Sequence, residues 1–205
     1  MESKTERTAI LYVHGKGGSA KEAEHYKTLF PEWDVYGLDY KKNTPWETKG
    51  EIQSKVTSLN REYDNIILVA NSIGAFFSMN AKIEDAIKRA YLISPIVNME
   101  KLIMDMMEWA NVTEAELKEK MNITTEFGET LSWEYLFYVR SNPIHWDVPT
   151  YILYGEKDNL TSIETVTQFA EAHHANITVM PTGEHWFHTK EQMEFLDNWM
   201  KNKVH

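Results

Sequence analysis

The stretch Asn65-Ile66-Ile67-Leu68-Val69-Ala70-Asn71-Ser72-Ile73-Gly74-Ala75 decides the fold. Residues 66–69 form a short, β-branched run without polar alternation, the pattern of a strand buried on both faces. Helical spacing opens at Gly74 and Ala75. Ser72 therefore stands on a sharp strand-to-helix turn, with its hydroxyl pushed out at the edge of the sheet, where a serine nucleophile is held. The two backbones approach closely there, so the neighbours must be small. Ala70 and Gly74, two residues either side of Ser72, meet that need. Ala70 stands where glycine is usual and adds only a Cβ. A serine in such a string also has a simpler reading as a helix N-cap, and the rest of the chain decides between the two.

Outward from this turn, strand and helix patterns alternate, which points to an α/β domain with a parallel sheet. Strands are expected at 8–13, 33–38, 65–70, 89–93, 150–154 and 177–180. Helices are expected at 19–30, at 46–63, from the Ser72 turn to about Asn80, at 162–173 and at 191–200. Pro31 stops the first of these, and Ile52, Val56 and Leu59 line one face of the second. The alternation breaks at residues 97–146, which are helical in composition and rich in methionine and aromatics, including Met99, Met104, Trp109, Met121, Phe127, Trp133 and Trp146. This segment reads as a helical insertion within one domain spanning 1–205.

The chain has 205 residues, 42% of them hydrophobic, with seven tryptophans, enough for one sizeable core. Its net charge is −10, and no basic block stands out. Nucleic acid is therefore not an expected partner, and the acid excess reads as a solubility feature. The absence of cysteine excludes disulfides, thiolate zinc sites and cysteine nucleophiles. The start, Met1-Glu2-Ser3-Lys4-Thr5-Glu6-Arg7, lacks the apolar core of a signal peptide. The longest uncharged stretch, 65–81, is too short for a membrane span and contains Asn71, Ser72 and Asn80. A soluble cytoplasmic protein without a membrane partner, monomeric or homodimeric, is expected.

Three further motifs fall at strand ends. His14-Gly15-Lys16-Gly17-Gly18 follows the first strand. A tetrahedral acyl intermediate bears an oxyanion that needs preorganised N–H donors, and the backbone amides of Lys16 and Ile73 are the candidates. The glycines also allow a phosphate-cradling reading, but the string has neither Walker nor G-x-G-x-x-G spacing. Gly155-Glu156-Lys157-Asp158 ends the strand at 150–154, and a carboxylate there can fix the tautomer of a histidine. Asp158 is the first candidate and Glu156 the fallback. Gly183-Glu184-His185-Trp186 follows the last strand. His185 is the candidate general base, with His188 its competitor. His173 and His174 are expected in solvent, and His14 is expected to shape the oxyanion turn rather than act as a base.

The chain order Ser72, Asp158, His185, with an HGxGG-type turn upstream, resembles the α/β-hydrolase superfamily over nearly the whole chain. The resemblance implies a doubly wound, mostly parallel sheet of about six strands, shortened from about eight, with a helical cap inserted at 97–146. It also implies cleavage of an ester, thioester or amide of a small-molecule acyl substrate, through an acyl-enzyme on Ser72 and without metal or cofactor. The aromatic and methionine content suggests an apolar pocket, with Trp186, Trp109 and Trp133 as candidate substrate contacts, although most such residues would pack the insertion itself. The rival readings are a binding or regulatory protein on the same fold, and a small serine peptidase or acyltransferase.

Overall fold

The structure, a computed structural model, describes residues 6–204. The polar start read above for a signal sequence lies, as far as Thr5, outside the described residues. In chain order the elements begin with β1 (Thr8–Val13), α1 (Ala23–Leu29), β2 (Asp34–Leu38), α2 (Pro45–Leu59), β3 (Asn65–Asn71), α3 (Ile73–Asn80) and β4 (Arg89–Ile93). Then come α4 (Met99–Trp109), α5 (Glu114–Lys120), β5 (Asn122–Thr124), β6 (Thr130–Ser132) and α6 (Trp133–Ser141). The order is completed by β7 (Thr150–Gly155), α7 (Ile163–Ala172), β8 (Asn176–Met180) and α8 (Lys190–Lys203). The segment expected as one helix at 19–30 opens instead with a 3-10 turn at Ala20–Glu22, before α1.

Six strands make one parallel sheet in the order β2-β1-β3-β4-β7-β8. The chain runs from β1 outward to β2, then crosses back so that β3 pairs with the other side of β1. The strand order thus reverses between β1 and β3, the kind of switch point at whose carboxyl ends open α/β sheets bind their ligands. The register aligns Val13 with Ala70, which sets the turn after β1 level with Ser72.

Alternation along the strands divides the core. Ile10, Tyr12, Ile67, Val69, Tyr91, Ile93 and Leu153 pack with Tyr26 of α1 and Leu196, Trp199 and Met200 of α8. Their neighbours Leu11, Leu68, Leu92 and Ile152 are also buried and point to the opposite face by the strand pleat. On α2 the expected stripe Ile52, Val56 and Leu59 is buried. Sealing both faces is why these strands read as unbroken apolar runs. Each Leu or Ile so buried contributes about 1.5–3 kcal/mol.

Residues 98–145 form a compact unit of their own, distinct from the sheet unit. Their expected all-helical character is corrected: α4, α5 and α6 are joined by the antiparallel hairpin β5–β6, in which Asn122 faces Ser132 and Thr124 faces Thr130. Three residues per strand are too few for a two-residue period to be visible in sequence. The hairpin is set instead by Gly128 at φ 86° and by Thr125, whose N–H and hydroxyl both donate to the Glu129 carbonyl, at 2.7 and 2.8 Å. Arg140 of α6 forks to Glu100 of α4 and to both oxygens of Glu114 at the start of α5. Among the described residues no helix is long and apolar enough to cross a membrane.

Candidate active site

Ser72 sits at φ 51°, ψ −120°, a region that side-chain-bearing residues avoid. The sheet imposes this conformation. The Ser72 N–H donates to the Ile93 carbonyl at 3.0 Å, and its carbonyl accepts from Ile96 N–H at 3.2 Å. Gly74 is required on the far side: a Cβ there would collide with the His14 and Val13 carbonyl oxygens. Ser72 occupies the N-cap position of α3, yet its side chain makes no capping bond. Its Oγ lies instead 2.8 Å from His185 Nε2. Ser72 is thus an N-cap by position, without the side-chain bond that gives a cap its stabilising role.

Asp158 and His185 lie in the turns after β7 and β8, and glycines let these turns meet. A Cβ on Gly155 would fall 2.6 Å from the Gly183 carbonyl, and one on Gly183 would fall 3.0 Å from the Gly155 Cα. Lys157 N–H donates to the Gly183 carbonyl at 2.7 Å and Glu156 N–H to the Met180 carbonyl at 3.1 Å. The Glu156 carboxylate, the fallback acid, accepts from Thr182 N–H at 3.0 Å and so braces the histidine turn. Asp158, with a side chain 0% exposed, places Oδ2 2.7 Å from His185 Nδ1. Its Oδ1 accepts from Leu160 N–H at 2.8 Å and Thr161 N–H at 3.0 Å, so a buried carboxylate has partners on both oxygens. Nearby, Tyr154 donates to the Thr161 carbonyl at 2.9 Å. Burial, reinforced by the Asp158 charge, pushes the Tyr154 phenol up to about 12. With an anion on Nδ1, the histidine proton is assigned there, and the Nε2 lone pair faces the serine hydroxyl.

His188, the competing base, is not brought to Ser72. Its Nδ1 donates to the Trp186 carbonyl at 2.7 Å, and its ring stacks on Trp186 at 4.3 Å. His173, expected in solvent, donates instead to the Trp146 carbonyl at 2.9 Å and leans on Phe169.

The turn after β1 lies against Ser72. A Cβ on Gly15 would sit 3.2 Å from the Ser72 Cβ. The turn closes through Gly18 N–H to the Gly15 carbonyl at 3.1 Å, with Gly17 at φ 74°, a conformation for which glycine is the natural residue. Lys16 stands exposed on its crown. Ile73 is the first residue of α3, at the positive end of the helix dipole.

Trp186 follows His185 and is 68% exposed. Trp109 and Trp133 belong to the 98–145 unit, where Trp109 meets Phe127 edge to face at 6.3 Å and Trp133 lies beneath the Lys118 ammonium. Tyr40 was not singled out from sequence. It follows β2, donates to the His14 carbonyl at 2.8 Å and stacks on the His14 ring at 4.1 Å. Its sequence position, two residues past the end of an expected strand, does not reveal this contact across elements.

No family model and no curated protein sequence matches this chain. Solved structures do. The α/β-hydrolase domain-containing protein 10 from mouse superposes with a TM-score of 0.75 at 14% identity, covering 96% of this chain and 89% of that one. Est1E from Butyrivibrio proteoclasticus gives 0.71 at 15% identity over 99% and 90% of the two chains. A lipase-esterase related protein from Clostridium acetobutylicum gives 0.64 at 18% identity over 97% and 95%. At these identities the likeness is one of fold.

Proposed function

On the α/β-hydrolase fold that this chain adopts, we propose that it is a serine hydrolase that cleaves carboxylic esters through an acyl-enzyme on Ser72. The observation that carries the reading is the continuous hydrogen-bonded line from Ser72 Oγ through His185 to Asp158, at 2.8 and 2.7 Å. It begins on a serine whose backbone strain has no capping role to account for it.

In the proposed cycle His185 Nε2 takes the Ser72 proton as Oγ bonds to the substrate carbonyl carbon. The carbonyl π-electrons move to oxygen, and the Lys16 and Ile73 amides donate to that oxyanion. Collapse expels the leaving oxygen, which receives the proton from the His185 imidazolium. Water then attacks the acyl-enzyme with His185 again as base, releasing the carboxylic acid and restoring the serine hydroxyl. Asp158 stays ionised throughout, holding the imidazole in one tautomer and stabilising its cation. Thioesters and amides fit the same sequence of bond changes. Trp186, exposed beside the base, is the proposed contact for the substrate's apolar part.

The test is the intact mass of the protein after exposure to a fluorophosphonate, alongside turnover of an activated aryl ester, with Ser72→Ala in parallel. The expected result is a single adduct on the wild type and none on the variant, with turnover reduced by roughly three orders of magnitude or more. A folded wild type that takes no adduct, or equal turnover by the variant, would overturn the proposal.

A further inference from the structure

We infer that Tyr40 and His14 act together as a clamp that aims the Lys16 amide at the reacting carbonyl, making both positioning residues for the reaction proposed above, on whose reading this inference rests. The Gly15 carbonyl is held by two donors, Gly18 N–H at 3.1 Å and His14 Nδ1 at 2.8 Å. A carbonyl oxygen can only accept, so His14 carries its proton on Nδ1. The Gly15–Lys16 peptide is planar, and in a trans peptide C=O and N–H point in opposite directions. Fixing the Gly15 oxygen from one side therefore fixes the direction of the Lys16 N–H on the other. The turn runs close to Ser72: a Cβ added to Gly15 would fall 3.2 Å from the Ser72 Cβ and 3.4 Å from the Asn71 carbonyl oxygen.

Tyr40 holds the other end of this unit. Its hydroxyl donates to the His14 carbonyl at 2.8 Å, while its ring lies parallel to the imidazole, 4.1 Å away with 5° between planes. The same ring meets Phe77 of α3 at a centroid distance of 5.6 Å and 84° between planes. That helix begins with Ile73, which contributes the second proposed oxyanion donor. One aromatic side chain thus ties the turn bearing the first donor to the helix bearing the second. His14 is only 6% exposed, and its Nε2 has no hydrogen-bond partner among the described residues. Burying a polar ring with an unpartnered nitrogen is unfavourable for folding, and an apolar side chain of similar size would avoid that penalty. What an apolar side chain would lack is the Nδ1 donor.

The test uses the full chain as wild type, Tyr40→Phe, His14→Asn, His14→Ala and Ser72→Ala. It measures kcat and KM for an aryl ester, the inhibition constant of an aryl trifluoromethyl ketone, which adds to serine as a tetrahedral oxyanion, and Tm. A His14→Ala enzyme is expected to lose about 100-fold in kcat with KM within about 2-fold, as a misaimed oxyanion donor requires. His14→Asn keeps a donor near the Nδ1 position and is expected to recover about 10-fold of that loss. Tyr40→Phe retains the ring and removes the hydroxyl, with an expected loss of about 10-fold in kcat. Inhibition by the ketone should weaken in step with kcat and not with Tm. If His14→Ala does not fold, Tyr40→Phe and His14→Asn carry the test against wild type. Unchanged kcat and ketone affinity in those variants would overturn the clamp while Ser72-dependent turnover stands. Absence of Ser72-dependent turnover in the wild type would overturn the clamp together with the hydrolase reading.

Discussion

The meeting at Gly155 and Gly183 of the turns that carry Asp158 and His185, the proposed acid and base, makes Gly155→Ala a sharp perturbation. A Cβ at 155 would fall 2.5 Å from the Glu184 carbonyl oxygen and 2.6 Å from the Gly183 carbonyl, against an ordinary contact of at least 3.4 Å. All of these atoms are backbone, so the turns have to part by about 0.9 Å, an overpacking that costs about 1–3 kcal/mol of stability. The same displacement stretches the 2.7 Å bond between His185 and Asp158 to beyond hydrogen-bonding range. A base that has lost its orienting partner is expected to cost about 100-fold in kcat. The assay is ester turnover beside urea unfolding, with Gly50→Ala as the control. Gly50 lies in α2, and a Cβ there meets nothing within 4 Å. That variant is expected to gain about 0.5–1 kcal/mol from helix propensity and to keep its activity. Full turnover with unchanged stability in Gly155→Ala would refute the argument that close approach of these turns builds the site.

His185→Ala is expected to abolish ester turnover, whereas His188→Ala, whose ring is committed to Trp186, should keep kcat within about 3-fold; exchanged phenotypes would move the base to His188. Burial raises the phenols of Tyr12, Tyr26 and Tyr40, and that of Tyr154 to about 12. Their neutral forms are favoured in the fold, so the stability they contribute is whole below the unfolded-state value of about 10 and is lost as pH rises above it. Urea midpoints measured from pH 9 to 12 should fall steadily from about pH 10, and a flat profile would contradict the raised phenols. Arg140→Ala removes the side chain that links α4, α5 and α6. Amide exchange should then accelerate in α5, with the sheet strands unaffected, and uniform protection would show the ion pairs to be dispensable.

What was legible in the sequence was whatever repeats along a strand or is forced by a glycine. Residues 66–69 announced β3 because a doubly covered strand has no polar positions; the edge strands β2 and β8, partly exposed along their length, nevertheless match their expected spans to within one residue. Ser72, Asp158 and His185, the residues of the proposed triad, could be singled out because each follows a sheet strand within three residues of a glycine whose Cβ would meet backbone. Contacts made by side chains across elements were not legible. Nothing local marks Tyr40 as a partner of His14, separated by 26 positions, or turns Glu156 from an alternative acid into a brace for Thr182. The β5–β6 hairpin escaped because its turn is organised by the Thr125 side chain rather than by a two-residue Asn-Gly or Asp-Gly signal. The methionine and aromatic content of 98–145 marked no single environment: Met99 and Met107 are buried, while Met104, Trp109 and Phe137 are exposed.

The backbone at Ser72 has an evolutionary consequence. Glycine would hold φ 51°, ψ −120° without the penalty of about 1–3 kcal/mol that a side chain incurs there. Random substitution filtered only for folding would therefore drift toward glycine at this position, and the drift would raise stability as it erased the hydroxyl. A duplicated copy of this chain released from the proposed chemistry would be recognisable by two coupled traits, Gly at position 72 and a higher melting temperature. Restoring the serine to such a copy would reverse both.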